Sequence, residues 1–156
     1  MEKENYVRPA ILADAIQLAP KMRIADREEI RASNGSSPLE ALVIPFTYKE
    51  ARSYTIIGTA KEGVIGMFGV APTKDPEYGI AWLLSSEDLF KHTKQFIKEC
   101  PYWVSKMGQG YTYVYNWVDR RNWKSLKWLQ FLGFEPKEEI KQFGVCLLYT
   151  SDAADE

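Results

Sequence analysis

The chain has 156 residues, 46% of them hydrophobic and 13% aromatic, and a formal net charge of −1. That is enough apolar material for one domain with its own core. It is too little net charge to hold nucleic acid or an anionic membrane through a global field. Two cysteines, Cys100 and Cys146, and one histidine, His92, supply neither a disulfide framework nor a Cys/His zinc set. The first ten residues, MEKENYVRPA, lack the apolar stretch of a signal peptide, and no apolar run approaches the roughly 18 residues of a transmembrane helix. A soluble protein of a reducing compartment is expected.

Tyr6-Val7-Arg8 reads as a short strand ended by Pro9. Ile11, Ala15, Leu18, Met22, Ala25 and Ile30 then recur at helical spacing to about Ser33, with Pro20 as a break or kink. Asn34-Gly35-Ser36-Ser37 stops that pattern and starts another: Ser37 caps, Pro38 is the first helical residue, and Glu40 completes a capping box. This helix is expected to reach about Ala51. The period then changes, and Tyr54 to Gly58 and Val64 to Val70 form a hairpin about Ala60-Lys61-Glu62-Gly63.

A turn at Asp75-Pro76-Glu77 leads into a strand from Tyr78 to Leu84. Ser85-Ser86-Glu87-Asp88 opens a long helix, with hydroxyls to cap and carboxylates where the macrodipole favours them. Its apolar face is Phe90, Thr93, Ile97, Cys100, Val104 and Met107, and Pro101 is a kink. Tyr111 to Val118 is a strand and Asn122 to Leu132 a helix stopped by Gly133. Glu135 to about Tyr149 holds a last strand pair. The ending CLLYTSDAADE looks like translated sequencing adapter in a gene from environmental DNA. The expectation is therefore a single domain over 1–149 and a non-native or disordered tail over 150–156. The order β, α, α, β-β, β, α, β, α, β-β implies an α/β (α+β) fold, a mixed, mostly antiparallel central sheet with helices on both faces.

This order resembles the GCN5-related N-acetyltransferase (GNAT) superfamily. The sharpest local match is Asn122-x-x-Ser125-x-x-x-Leu129-x-x-x-Gly133-Phe134, against the superfamily's N-x-x-A-x-x-x-Y-x-x-x-G-F. Five blocks in order, from LAPKMRIADREEIRAS (Leu18 to Ser33) through SPLEAL, FGVAP and IAWLL to NWVDRRNWKSLKWLQFLGF, resemble a phage subfamily that includes the small internal virion protein of short-tailed phages.

The resemblance implies acetyl-CoA as acyl donor, an amine as acceptor and no metal. It places donor binding at Leu83, Leu84, Ser85, Ser86 and Lys91, with Asn122 and Ser125 on the last helix. It offers Asp119, Glu29 and Asp26 as candidate bases, since an attacking amine must lose a proton. Two departures stand out. The loop Leu84 to Lys91 has no glycine to let backbone approach a pyrophosphate, and Glu87 and Asp88 oppose an anion there. The position of the family's proton-donating tyrosine is Leu129.

Two readings therefore stand together. One is an N-acetyltransferase with a degenerate pyrophosphate loop. The other is a non-catalytic phage internal virion or host-interaction protein, such as an inhibitor of a host defence component, in the host cytoplasm or packaged in the virion. On the residues alone, Arg23, Asp26 and Arg27 read as surface ion pairs worth about 0.2–0.5 kcal/mol each. His92 and Lys91, Lys94 and Lys98 read as a solvated helical face. Aromatic and basic residues interleave between Trp117 and Trp128 as in single-strand binders, yet Leu126, Leu129 and Leu132 mark a core face, which sets nucleic acid aside.

Overall fold

The computed structural model of the chain describes residues 7–49, 51–118, 122–131, 133–140 and 144–150. In chain order its elements are β1 (Val7–Pro9), α1 (Leu12–Leu18), a 3-10 turn (Ala19–Lys21), α2 (Ile24–Asn34), α3 (Pro38–Val43), a second 3-10 turn (Ile44–Thr47), β2 (Arg52–Ile57), β3 (Val64–Pro72) and β4 (Tyr78–Ser85). A third 3-10 turn (Glu87–His92), α4 (Thr93–Met107), β5 (Tyr113–Val118), α5 (Trp123–Phe131), β6 (Glu135–Ile140) and β7 (Gly144–Thr150) follow. This is a mixed α/β fold with a mostly antiparallel sheet, as the element order implies. Its contacts divide it into two compact units, Met1–Gly69 with Trp82–Lys94, and Val70–Ala81 with Gln95–Glu156.

In the first unit the strands are hydrogen-bonded in the order β1-β2-β3-β4, and Val7↔Ile56 to Pro9↔Tyr54 set the β1–β2 register. β3 is buried from Val64 through Val70, the unbroken apolar run of a strand covered on both faces. Gly69 is required there: a Cβ would lie 2.1 Å from the Arg52 carbonyl oxygen of β2. Ala15, Leu18, Met22, Ile30, Leu42, Val64 and Met67 form the core, with Trp82 and Leu84 packed against it.

Local signals in this unit act much as the sequence implies, with one difference. Ser37 Oγ accepts from the Glu40 amide at 3.2 Å, and Glu40 Oε1 accepts from the Ser37 amide at 2.8 Å. The helix begun by that box ends at Val43, short of Ala51, because Pro45 interrupts the hydrogen-bond ladder and the chain tightens into the 3-10 turn. Pro20 breaks the first helical pattern at another 3-10 turn. Arg27 then donates to the carbonyls of Ala19, Pro20 and Met22 at 3.0, 2.8 and 2.8 Å, satisfying acceptors that the broken helix leaves over.

In the second unit the order is β4-β5-β7-β6. β4 and β5 are parallel from Tyr78↔Tyr113 to Ile80↔Tyr115, and Tyr78 stacks on Tyr113 with centroids 5.0 Å apart. Parallel neighbours need a crossover, which α4 supplies. Phe96, Val104, Met107, Val114, Val118 and Phe134 are buried. Gly133, at φ 104, closes α5, and the Phe134 amide returns to the Leu129 carbonyl at 3.0 Å. That return bond is the wrap expected after a left-handed helix stop. β6 and β7 form the expected final pair, antiparallel with an irregularity between Pro136 and Glu138.

Candidate functional site

The segment singled out for donor binding, Leu83 to Lys91, is in the first unit. Leu83 and Leu84 are half-buried, Ser85 and Ser86 are buried, and β4 ends at Ser85. The amides of Ser85, Ser86, Asp88 and Leu89 have acceptors within the chain. The Ser85 N–H donates to Asp26 Oδ2 at 3.0 Å, 59 residues away in sequence. The Ser86 N–H donates to the Ile65 carbonyl of β3 at 3.0 Å. The amides of Asp88 and Leu89 donate to Ser86 Oγ and the Ser86 carbonyl at 3.2 and 3.3 Å.

Asp26 does not stand on an exposed helix face. It forms a buried ion pair in which Arg23 Nη1 donates to Oδ1 at 3.3 Å, with the side chains 8% and 3% exposed. This corrects the surface reading of that spacing: α2 begins against the end of β4, so its first turn faces inward. The Arg23 amide donates to the Ser85 carbonyl at 2.8 Å. Its guanidinium lies over the Phe90 ring, 4.7 Å from the centroid, and Nε is 3.9 Å from Glu87 Oε2. Asp26 and Arg23 together thus join helix, strand and turn, with both carboxylate oxygens of Asp26 engaged.

The cations near this loop are also partnered. Lys91 Nζ is 3.0 Å from Asp88 Oδ1, and hydrogen bonding to that carboxylate raises the lysine's pKa. His92, expected on a solvated face, is half-buried instead, with Nε2 2.8 Å from Glu62 Oε1 in the β2–β3 turn. The Thr59 amide and then His92 hold the Glu62 carboxyl below its ordinary range. Glu29 is half-buried on α2.

In the second unit Asn122 is buried, and its carbonyl accepts from the Leu126 amide at 3.2 Å, opening α5. Leu129 is half-buried and its side chain carries no proton to donate. Asp119 and the Ser125 side chain lie outside the described residues. No cluster of three or more His, Cys, Asp or Glu suited to a metal is found among the described residues. None of their helices is long and apolar enough to cross a membrane.

The fold is that of the GNAT acetyltransferases. Among solved structures, the ribosomal-protein-S5-alanine acetyltransferase from Vibrio fischeri matches with a TM-score of 0.66 and 18% identity, over 94% of this chain and 92% of that one. An aminoglycoside 6'-acetyltransferase type Ii matches with a TM-score of 0.70 and 14% identity, over 92% and 96%. A spermidine N-acetyltransferase from Vibrio cholerae, in complex with CoA and spermine, matches with a TM-score of 0.66 and 11% identity, over 96% and 97%. No family model matches the sequence, and no curated protein does.

The cofactor this fold implies can be tested against the residues present. A pyrophosphate needs free backbone N–H groups and uncompensated positive charge. At Ser85 and Ser86 the amides are already donated, and the exposed carboxylate of Glu87 stands beside them, 3.9 Å from Arg23 Nε. The Ser85–Ser86 joint does not fit a pyrophosphate.

Proposed function

We propose that the chain is an amine N-acetyltransferase using acetyl-CoA, in which the pyrophosphate loop has become a structural joint. What supports the reading is the fold shared with three acetyltransferases over 92–96% of this chain. With both oxygens of Asp26 engaged, Asp119 and Glu29 remain as candidate bases for the amine. A second reading is favoured by the closed loop and by Leu129: a phage internal virion or host-interaction protein that keeps the fold without the chemistry.

Calorimetric titration with acetyl-CoA, run beside a thiol-release assay over a panel of amines, separates the two. The enzyme reading expects saturable binding at or below about millimolar ligand, equivalent to about 4 kcal/mol, and amine-dependent thiol release. Absence of both at that concentration sinks it and leaves the non-catalytic reading.

A further inference from the structure

We infer that the end of β4 at Ser85 and Ser86 is closed to phosphate, the Ser85 amide by the chain's own carboxylate. Resting on the acetyltransferase reading, we infer further that a thioester donor is recognised through its acyl-pantetheine arm, with the nucleotide end contributing nothing. The first half stands on the donors. The amides of Ser85, Ser86, Asp88 and Leu89 each have an acceptor within the chain. A phosphate oxygen taking the Ser85 N–H must displace Asp26 Oδ2 and leave a buried carboxylate short of a partner. Taking the Ser86 N–H strips the Ile65 carbonyl of β3. Either exchange leaves a buried polar group unsatisfied, which costs about as much as the new bond returns.

Charge points the same way. Around the loop two cations, Arg23 and Lys91, stand against the carboxylates of Asp26, Glu87 and Asp88, with Glu62 beside His92. Arg23 is held by Asp26 and covered by the Phe90 ring. A pyrophosphate would bring further negative charge to a place where carboxylates already outnumber cations. Asp26 therefore occupies, from inside the fold, the role an anionic ligand plays at an open loop of this kind.

The test uses the full wild-type chain labelled for amide NMR. The Ser85 and Ser86 amides are expected to be protected from solvent exchange and unmoved by inorganic pyrophosphate. In parallel, acetyl-CoA and S-acetylpantetheine are titrated; equal affinity within about threefold is expected, because the nucleotide adds no contact. Saturable shifts of either amide with pyrophosphate or acetyl-CoA overturn the closure. An advantage of more than about tenfold for acetyl-CoA, or about 1.4 kcal/mol, overturns the recognition half while the acetyltransferase reading survives. If neither thioester binds, that reading falls and the recognition half falls with it, and the amide measurements alone decide the closure.

Discussion

Replacing Asp26 with alanine removes the acceptor from two buried donors at once, the Ser85 amide at 3.0 Å and Arg23 Nη1 at 3.3 Å. A buried ion pair that loses one member leaves an uncompensated charge, a cost of about 3–5 kcal/mol. The whole chain is expected to have about 5–15 kcal/mol of stability. With a urea slope of about 2 kcal/mol per molar, the unfolding midpoint should fall by about 2 M. Asp26→Asn keeps an oxygen for the Ser85 amide and loses the charge facing Arg23, so it should cost less, about 1–3 kcal/mol. Adding Arg23→Met to Asp26→Ala should recover part of the loss, because the stranded guanidinium is gone. The measurement is urea unfolding followed by circular dichroism for the two single variants, Arg23→Met and the double variant. A cost below about 1 kcal/mol for Asp26→Ala, or single-variant effects that add within about 0.5 kcal/mol, would refute the claim that these residues form one buried joint.

Asp14 gives a pH-dependent expectation. Burial pushes its carboxyl up, but bonds from Arg8, the Ile11 amide and Thr55 outweigh this and hold it below the ordinary range. A carboxyl depressed in the folded state adds stability that is fully present above its unfolded value, about pH 4. That stability is lost as pH falls through the folded value, so Asp14→Asn should flatten the acid side of a melting-temperature profile; an unchanged acid slope would count against it. Gly69→Ala should destabilise by about 1–3 kcal/mol in denaturant unfolding, as overpacking of a full core does, since β2 leaves no room beside it; a neutral result would show that β2 yields. Ser37→Ala should cost about 1 kcal/mol through loss of the cap on α3, and a shift in melting temperature within error would show that the box adds nothing.

Most element positions were legible in the sequence because short-range rules set them. The Ser37, Pro38 and Glu40 box, the break at Pro20, the hairpin about Glu62 and the stop at Gly133 each depend on residues within a few positions of one another. Helix ends were less legible where two signals compete: the pattern running on toward Ala51 loses to Pro45. The missing loop glycine and Leu129 were also plain in the sequence, and both bear on what the fold can do.

The site itself depended on contacts that spacing cannot show. Arg23 and Asp26, three residues apart, form the same pattern on a solvated helix face and on a buried one. Only packing α2 against the end of β4 decides that their charges are desolvated and that Asp26 meets an amide 59 residues away. His92 is likewise one of several polar residues on a helix until the β2–β3 turn brings Glu62 to 2.8 Å. Local sequence determined the fold class through periodicity and capping, which act over one or two turns of chain. Tertiary structure alone decided which charges are buried and which amides are already taken, because burial and pairing are properties of what lies across the fold.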